Sequence, residues 1–288
     1  MRYLILNADD CGYCPEESRA VLDLLDAGLI TSTSLLAVAP DFPAAAKALA
    51  ARKAPCGIHL AVTCDSASER WKPVSEARSL SDASGLYVSG DVRVQLAHRA
   101  DVRTELEAQL QRMKSRGLTP DHADAHSTAL YGLNGRRFFL DVFEFCSEHH
   151  LPFRFPRGMH FAEEFTGHPL PGPLRIIVRR VLHEADGRHL LLPDNISSNP
   201  WNIERIGTLE NLRNYYFKEL ELAEDGVTEM FLHPAYPASG HGKEWKKREW
   251  EREILASGCL VEKAKRLGIQ LISWGEFAQM RPYGRGNG

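Results

Sequence analysis

The sequence predicts an α/β fold, a closed or nearly closed barrel of about seven parallel strands. Three observations carry this. Short apolar runs alternate with amphipathic segments along most of the 288 residues, the pattern of successive βαβ units. The length suits one barrel of roughly 250 residues better than two small domains. Acidic residues and histidines recur at the ends of the apolar runs, and in a parallel barrel those ends share the face that holds the active site. A doubly wound open sheet is the alternative.

The elements follow in order. Residues 3–6 form an apolar strand running into Asn7-Ala8-Asp9-Asp10. Pro15-Glu16-Glu17 opens a helix, proline in the first turn and acids where the helix dipole favours them, and it ends at Ala27-Gly28. Residues 30–39 are a strand, 41–53 a helix and 57–62 a third strand. Residues 64–98 are polar and read as a long functional loop. A helix at 102–114, a strand at 121–126, a helix at 136–148 and a strand at 151–155 come next. Residues 158–206 hold five prolines and one basic apolar piece, 174–182, and read as an insertion on the barrel rim. Then come a helix at 209–223, a strand at 229–232, helices at 245–256 and 261–267, and a last strand at 269–273. The chain is expected to be one domain over 1–280 with a frayed tail at 281–288.

Composition narrows the function classes. Hydrophobic residues make 43% and charged residues 25%, ordinary globular usage that excludes a disordered or collagen-like chain. A formal charge of −3 gives no electrostatic case for nucleic acid. Six cysteines are too sparse for a disulfide scaffold. The opening residues are too short and too acidic for a signal peptide, and no stretch reaches the roughly 18 apolar residues of a membrane span. The expectation is a cytoplasmic protein acting on a small molecule, with neither nucleic acid nor membrane as partner; a homodimer is left open.

The chemistry is positional. Asp9 and Asp10 follow the first strand, His59 lies near the end of the third, His126 ends the strand from Asp121, Arg154 ends the next, and His233 follows 229–232. Each has a plain structural reading: a helix cap for Asp9-Asp10, a hydrogen-bonded core residue for His59, a polar edge strand for the alternating His122, Asp124 and His126, turn chemistry for His233 before Pro234. Their common place at strand ends favours a joint site. Two imidazoles and a carboxylate suit a divalent cation with a position open, and ligand type alone does not choose the ion. A second carboxylate could take a proton from water and a separate histidine could give one to a leaving amine, a set sufficient for amide hydrolysis.

Asn7-Ala8-Asp9-Asp10-Cys11-Gly12-Tyr13, Thr31-Ser32-Thr33-Ser34-Leu35, Gly57-Ile58-His59-Leu60, Asp124-Ala125-His126, Leu151-Pro152-Phe153-Arg154 and Thr228-Glu229-Met230-Phe231-Leu232-His233-Pro234 follow one another as the motifs of a known family do. In this the chain resembles the YdjC-like (ChbG/HpnK) carbohydrate deacetylases, relatives of the polysaccharide deacetylases, over about Met1 to Pro237. The resemblance implies a distorted (β/α) TIM-like barrel and metal-dependent removal of acetyl groups from N-acetylated sugars or short oligosaccharides. It implies Asp10, His59 and His126 as ligands of a divalent ion, Mg²⁺ or Zn²⁺, Asp9 as general base and His233 as general acid. Arg154 matches an arginine beside the catalytic carboxylate, and Asp124 a residue that orients a metal ligand. Two departures stand out. Ser127-Thr128 follow His126 where many members carry further histidines, and Cys11 replaces a usual phenylalanine.

Two other readings differ in class. Cys11-Gly12-Tyr13-Cys14 before a helix fits a thiol–disulfide redox motif. A non-catalytic sugar-binding barrel could use Trp71, Trp201, Tyr236 or Trp245 as stacking surfaces.

Overall fold

The computed structural model describes residues 1–64, 70–88, 90–132 and 135–280; the tail expected to fray at 281–288 and part of the 64–98 segment lie outside them. The described strands are β1 (Arg2–Cys11), β2 (Ser32–Leu35), β3 (Cys56–Leu60), β4 (Ala123–Ala125), β5 (Asn195–Ser197), β6 (Gly226–Leu232) and β7 (Gln270–Leu271). All pair in parallel in the order β4-β3-β2-β1-β6-β5, with β7 against the start of β1. Between β4 and β5 the curled sheet is bridged by extended chain. Phe153 pairs with Ala123, its amide donates to the Leu191 carbonyl at 3.0 Å, and the Asp194 amide donates to Val227 at 2.9 Å. The expected distorted barrel is therefore present.

Helices α1 (Pro15–Asp26), α2 (Phe42–Arg52), α3 (Asp91–Val94), α4 (Arg99–Lys114), α5 (Phe138–Glu148), α6 (His160–Thr166), α7 (Gly172–Gly187), α8 (Ile203–Ile206), α9 (Leu209–Leu222), α10 (Trp245–Ala256), α11 (Cys259–Arg266) and α12 (Trp274–Met280) surround the sheet. Pro15 stands at the start of α1 with Glu16 and Glu17 in its first turn, as the sequence predicts. Among the described residues no helix is long and apolar enough to cross a membrane.

The period-two alternation of β1 separates two environments. Leu4, Leu6 and Ala8 join the large apolar layer packed under the helices. Ile5 points the other way, into a smaller cluster with Leu191, Val227, Ile272, Trp274 and Phe277. Asn7 and Asp9 share the face of Ile5, and Glu229 shares that of Val227, so the interior changes from apolar to charged along the strands.

Four expectations change. The first strand extends through Cys11, so both aspartates lie within it. Residues 151–155 make only a single bridge, because Pro152 has no amide to donate to a ladder. The 158–206 segment is not merely a rim insertion: it supplies barrel strand β5, hidden in sequence because its exit, Ser197-Ser198-Asn199, is polar yet buried. The described part of 64–98 is more than a loop. It holds a short 3₁₀ turn at Arg78–Leu80 and α3, and buries Trp71, Leu80 and Tyr87. Buried Glu105 of α4 pins this segment by accepting from the amides of Val74 at 3.0 Å and Ser75 at 2.8 Å.

Gly57 in β3 has a packing reason. A Cβ there would lie 2.3–2.5 Å from three atoms of the His122 ring, which stacks on Trp274 at 4.7 Å. Gly57→Ala is expected to destabilise the fold by about 1–3 kcal/mol through overpacking. A melting temperature equal to that of the unsubstituted chain would contradict this.

Candidate active site

The site is built where β1 breaks its own alternation. Neighbouring strand residues normally face opposite sides, yet Asp9 and Asp10 both reach the same end of the barrel. The register of β1 against β2 shifts between Ala8 and Cys11, and Asp10 adopts a left-handed backbone with φ 64°. Aspartate tolerates that region better than most residues. This bulge turns the second carboxylate beside the first.

Asp10 is the hub of one half. Its Oδ1 lies 3.2 Å from His59 Nε2 and 2.9 Å from His126 Nδ1. Its Oδ2 accepts from Arg248 Nη1 at 2.7 Å, and the same guanidinium donates to buried Glu17. One donor atom from each of Asp10, His59 and His126 falls within 4.8 Å of the others, so these three could hold a cation. His59 is oriented from behind. It lies directly opposite Asp124 in the β3–β4 register, and its Nδ1 is 2.6 Å from Asp124 Oδ1 and 3.1 Å from Ser34 Oγ. Holding one ring nitrogen on a carboxylate fixes where the other points. Burial alone would lower the His59 pKa, but Asp124 and Asp10 outweigh it and hold the imidazole up at about 9. Burial likewise opposes ionisation of Asp10, and the charges of His126 and Arg248 overcome it, keeping this carboxyl well below the usual range.

Arg154 is the hub of the other half and is 2% exposed. It donates from Nη1 to Asp9 Oδ2 at 2.5 Å and from Nη2 to Asp9 Oδ1 at 2.7 Å. It grips Glu229 at 2.8 Å through Nε and Nη2 and lies 2.8 Å from Asp124. The ring of Phe231 packs under its guanidinium at 4.2 Å. Asn7 also donates to Asp9, at 2.7 Å. His233 stands at the mouth, half-buried, with Nε2 3.8 Å from Asp9 Oδ2. Its amide donates to Glu251 Oε2 at 2.7 Å, and burial pulls its pKa below the ordinary imidazole value.

Asp9, Asp10, His59, His126, Arg154, His233 and Asp124 thus come together. His122 is not beside Asp10 and the two other imidazoles but groups with Asp124 and Glu229, one donor atom of each within 4.8 Å of the others. It sits deeper, its Nδ1 2.7 Å from Asp121 and its buried Nε2 without a hydrogen bond, 3.9 Å from Asp124. Glu229, Arg248 and Glu251 were not anticipated from sequence. Glu229 left a signal, a lone charge inside an apolar strand. Arg248 and Glu251 left none, since α10 is charged along most of its length.

The redox reading finds no support here. Cys11 is fully buried, and burial with the nearby charges of Asp41 and Glu17 drives its thiol pKa up. Burial and Glu17 push the Cys14 thiol up to about 12. Neither is the lowered thiol pKa that a reactive helix-start cysteine needs. Of the aromatic candidates, Trp71 and Trp245 are buried, Tyr236 carries Arg19 and Arg252 on its ring, and Trp201 lines a cavity.

A sequence model of the family described as YdjC-like protein matches residues 3–266. The chain is 27% identical to a carbohydrate deacetylase of Geobacillus stearothermophilus, over 97% of this chain and 99% of that one. It is 29% identical to a chitooligosaccharide deacetylase of Yersinia pestis, over 82% of each. A solved structure from Enterococcus faecalis V583 superposes with a TM-score of 0.77 at 23% identity, over 96% of this chain and 98% of that one, a likeness of fold.

Two outcomes follow from the charge network. Arg154→Met leaves three buried carboxylates without their shared cation and is expected to cost about 3–5 kcal/mol, read by urea unfolding; a loss below about 1 kcal/mol would contradict the pairing. In the metal-free protein the folded-state pKa of His59, about 9, exceeds its ordinary 6.5. Its stabilising contribution is therefore complete below pH 6.5 and lost as pH rises to about 9. Chelator-treated protein should show a falling unfolding midpoint across that window, and His59→Gln should lack that component.

Proposed function

Because the chain belongs to the YdjC-like family, we propose that it is a carbohydrate deacetylase, a hydrolase that removes the acetyl group from the nitrogen of an amino sugar or short oligosaccharide and releases acetate and a free amine. One observation carries the reading. Four carboxylates, Asp9, Asp10, Asp124 and Glu229, meet two guanidinium groups at one barrel end, and His59 is drawn to its cationic form. With Glu17 also on Arg248, the site holds more carboxylates than guanidinium groups to pair with them.

Asp10, His59 and His126 fit a divalent ion, Mg²⁺ or Zn²⁺. Their donor atoms are close enough together, two are neutral-capable imidazoles and one is a carboxylate, and His59 is held from behind by Asp124. When bound, such an ion supplies a Lewis acid for the acetyl carbonyl and lowers the pKa of water at the site.

The chain's own residues do the rest. Asp9, fixed through both oxygens by Arg154, is the base that takes a proton from the attacking water. Arg154 holds that carboxylate in place, and Glu229 and Asp124 share the same guanidinium. His233 protonates the departing nitrogen. Burial disfavours its charged form, so a proton placed there is readily given up. Glu251 anchors the His233 backbone and keeps the imidazole at the mouth, where a sugar amide can approach. The deacetylase names of the two relatives support this reading.

Asp9→Asn is expected to keep one equivalent of bound metal and lose acetate release by about 10²–10⁴-fold. Asp10→Ala is expected to lose the metal as well. Parallel metal analysis and acetate assays on N-acetylated amino sugars check both; full activity in Asp9→Asn would move the base elsewhere.

A further inference from the structure

His122 alternates with Asp124 and His126 along the chain, takes no part in the chemistry above, and is held in place from several sides. Resting on the reading of Asp10, His59 and His126 as metal ligands, we propose that His122 is a positioning residue. It holds Asp124 in the orientation through which Asp124 aims the His59 ring at the ion.

Strand register brings these groups into line. His59 lies opposite Asp124 across β3 and β4, and the Ile58 amide donates to the His122 carbonyl at 3.0 Å. His122 and Asp124 are two residues apart and so share a strand face. Nδ1 of His122 is 2.7 Å from Asp121 Oδ1, its Nε2 is 3.9 Å from Asp124 Oδ2, and Asp124 Oδ1 is 2.6 Å from His59 Nδ1. Carboxylate and imidazole therefore alternate in one row, from Asp121 at a partly exposed position to the buried ring of His59.

Two buried atoms in this row have no hydrogen bond, Asp124 Oδ2 and His122 Nε2. Arg154 Nη2 lies 2.8 Å from Asp124 Oδ2 but does not serve it. A terminal guanidinium nitrogen carries two hydrogens, and those of Nη2 go to Asp9 Oδ1 and Glu229 Oε1. A buried polar atom left unpaired costs stability, and these two face each other. A shift of about 1 Å or a single bridging water joins them. Paired in this way, Asp124 is held at both oxygens and its contact with His59 is fixed in direction, as the outer partners of a metal-bound imidazole require.

The surroundings are shaped to keep His122 there. Gly57 leaves the space that a Cβ would take, 2.3–2.5 Å from ring atoms of His122. Trp274 stacks on the ring at 4.7 Å with the planes 10° apart, and its indole donates to Glu229 at 3.2 Å. A flat side chain thus fills the slot for packing reasons, but packing alone asks for no nitrogen facing Asp124.

The test is zinc affinity of the full chain, measured by competition with a chelator. His122→Phe keeps a flat ring against Trp274 and removes both nitrogens; it is expected to raise the Kd for zinc about tenfold. His122→Asn fills less of the slot, carries its polar group out of reach of Asp124, and should show the same loss, which covers misfolding of His122→Phe. Asp124→Asn is expected to raise the Kd by about 10–100-fold. Adding His122→Phe to Asp124→Asn should change it by less than about twofold, because the histidine acts through that carboxylate. Unchanged zinc affinity in both His122 variants, or a full further tenfold loss on top of Asp124→Asn, would overturn the positioning role and leave the ligand reading intact. No zinc binding by the unsubstituted chain, or binding that survives Asp10→Ala unchanged, would overturn both.

Discussion

The arrangement depends on a single buried guanidinium. Arg154 comes from the extended chain that bridges β4 and β5, yet it holds Asp9 of β1, Asp124 of β4 and Glu229 of β6. Three strands are thereby joined across the barrel interior by charge. Removing these four ions from water is costly unless the geometry is close and their polar atoms are paired. The two-pronged contact with Asp9 and the contacts to Glu229 meet that requirement. The apolar interior around Ile5 and Trp274 lies next to this network, and the Trp274 indole donates to Glu229 at 3.2 Å, so water is kept from the charged layer on that side.

A backbone irregularity determines what that network can do. Without the bulge in β1, Asp10 would face the helix layer with Ala8, and the two carboxylates would be on opposite sides of the sheet. The left-handed turn at Asp10 brings a second acid into reach of His59 and His126. Strain of this kind persists where surrounding contacts over-determine it, and here Arg248 holds the outer oxygen of the carboxylate. α10 therefore serves both halves of the site: Arg248 fixes Asp10, and Glu251 one turn later fixes the His233 backbone.

What could be read from sequence follows from physical type. Alternation of apolar runs and helices revealed the barrel, and strand-end position revealed Asp9, Asp10, His59, His126, Arg154 and His233, because a parallel sheet gathers those ends. The resemblance in motif order added roles that spacing alone left open. Strand β5 escaped notice because Ser197, Ser198 and Asn199 are buried yet polar, with the Ser197 hydroxyl donating to Glu219 and the Ser198 carbonyl accepting from Tyr215. The bulge escaped because φ at Asp10 has no side-chain signature. The segment 64–98 looked loose because its anchor, Glu105, lies on a later helix.

The central claim is that Asp10, His59 and His126 grip one divalent ion beside Asp9. Anomalous diffraction from crystals grown with zinc tests it most directly. The account predicts one strong peak about 2.0–2.2 Å from a carboxylate oxygen of Asp10 and one ring nitrogen of each histidine. A peak at the Glu107, Glu148 and His149 cluster instead, with no density between Asp10 and the two imidazoles, would contradict it.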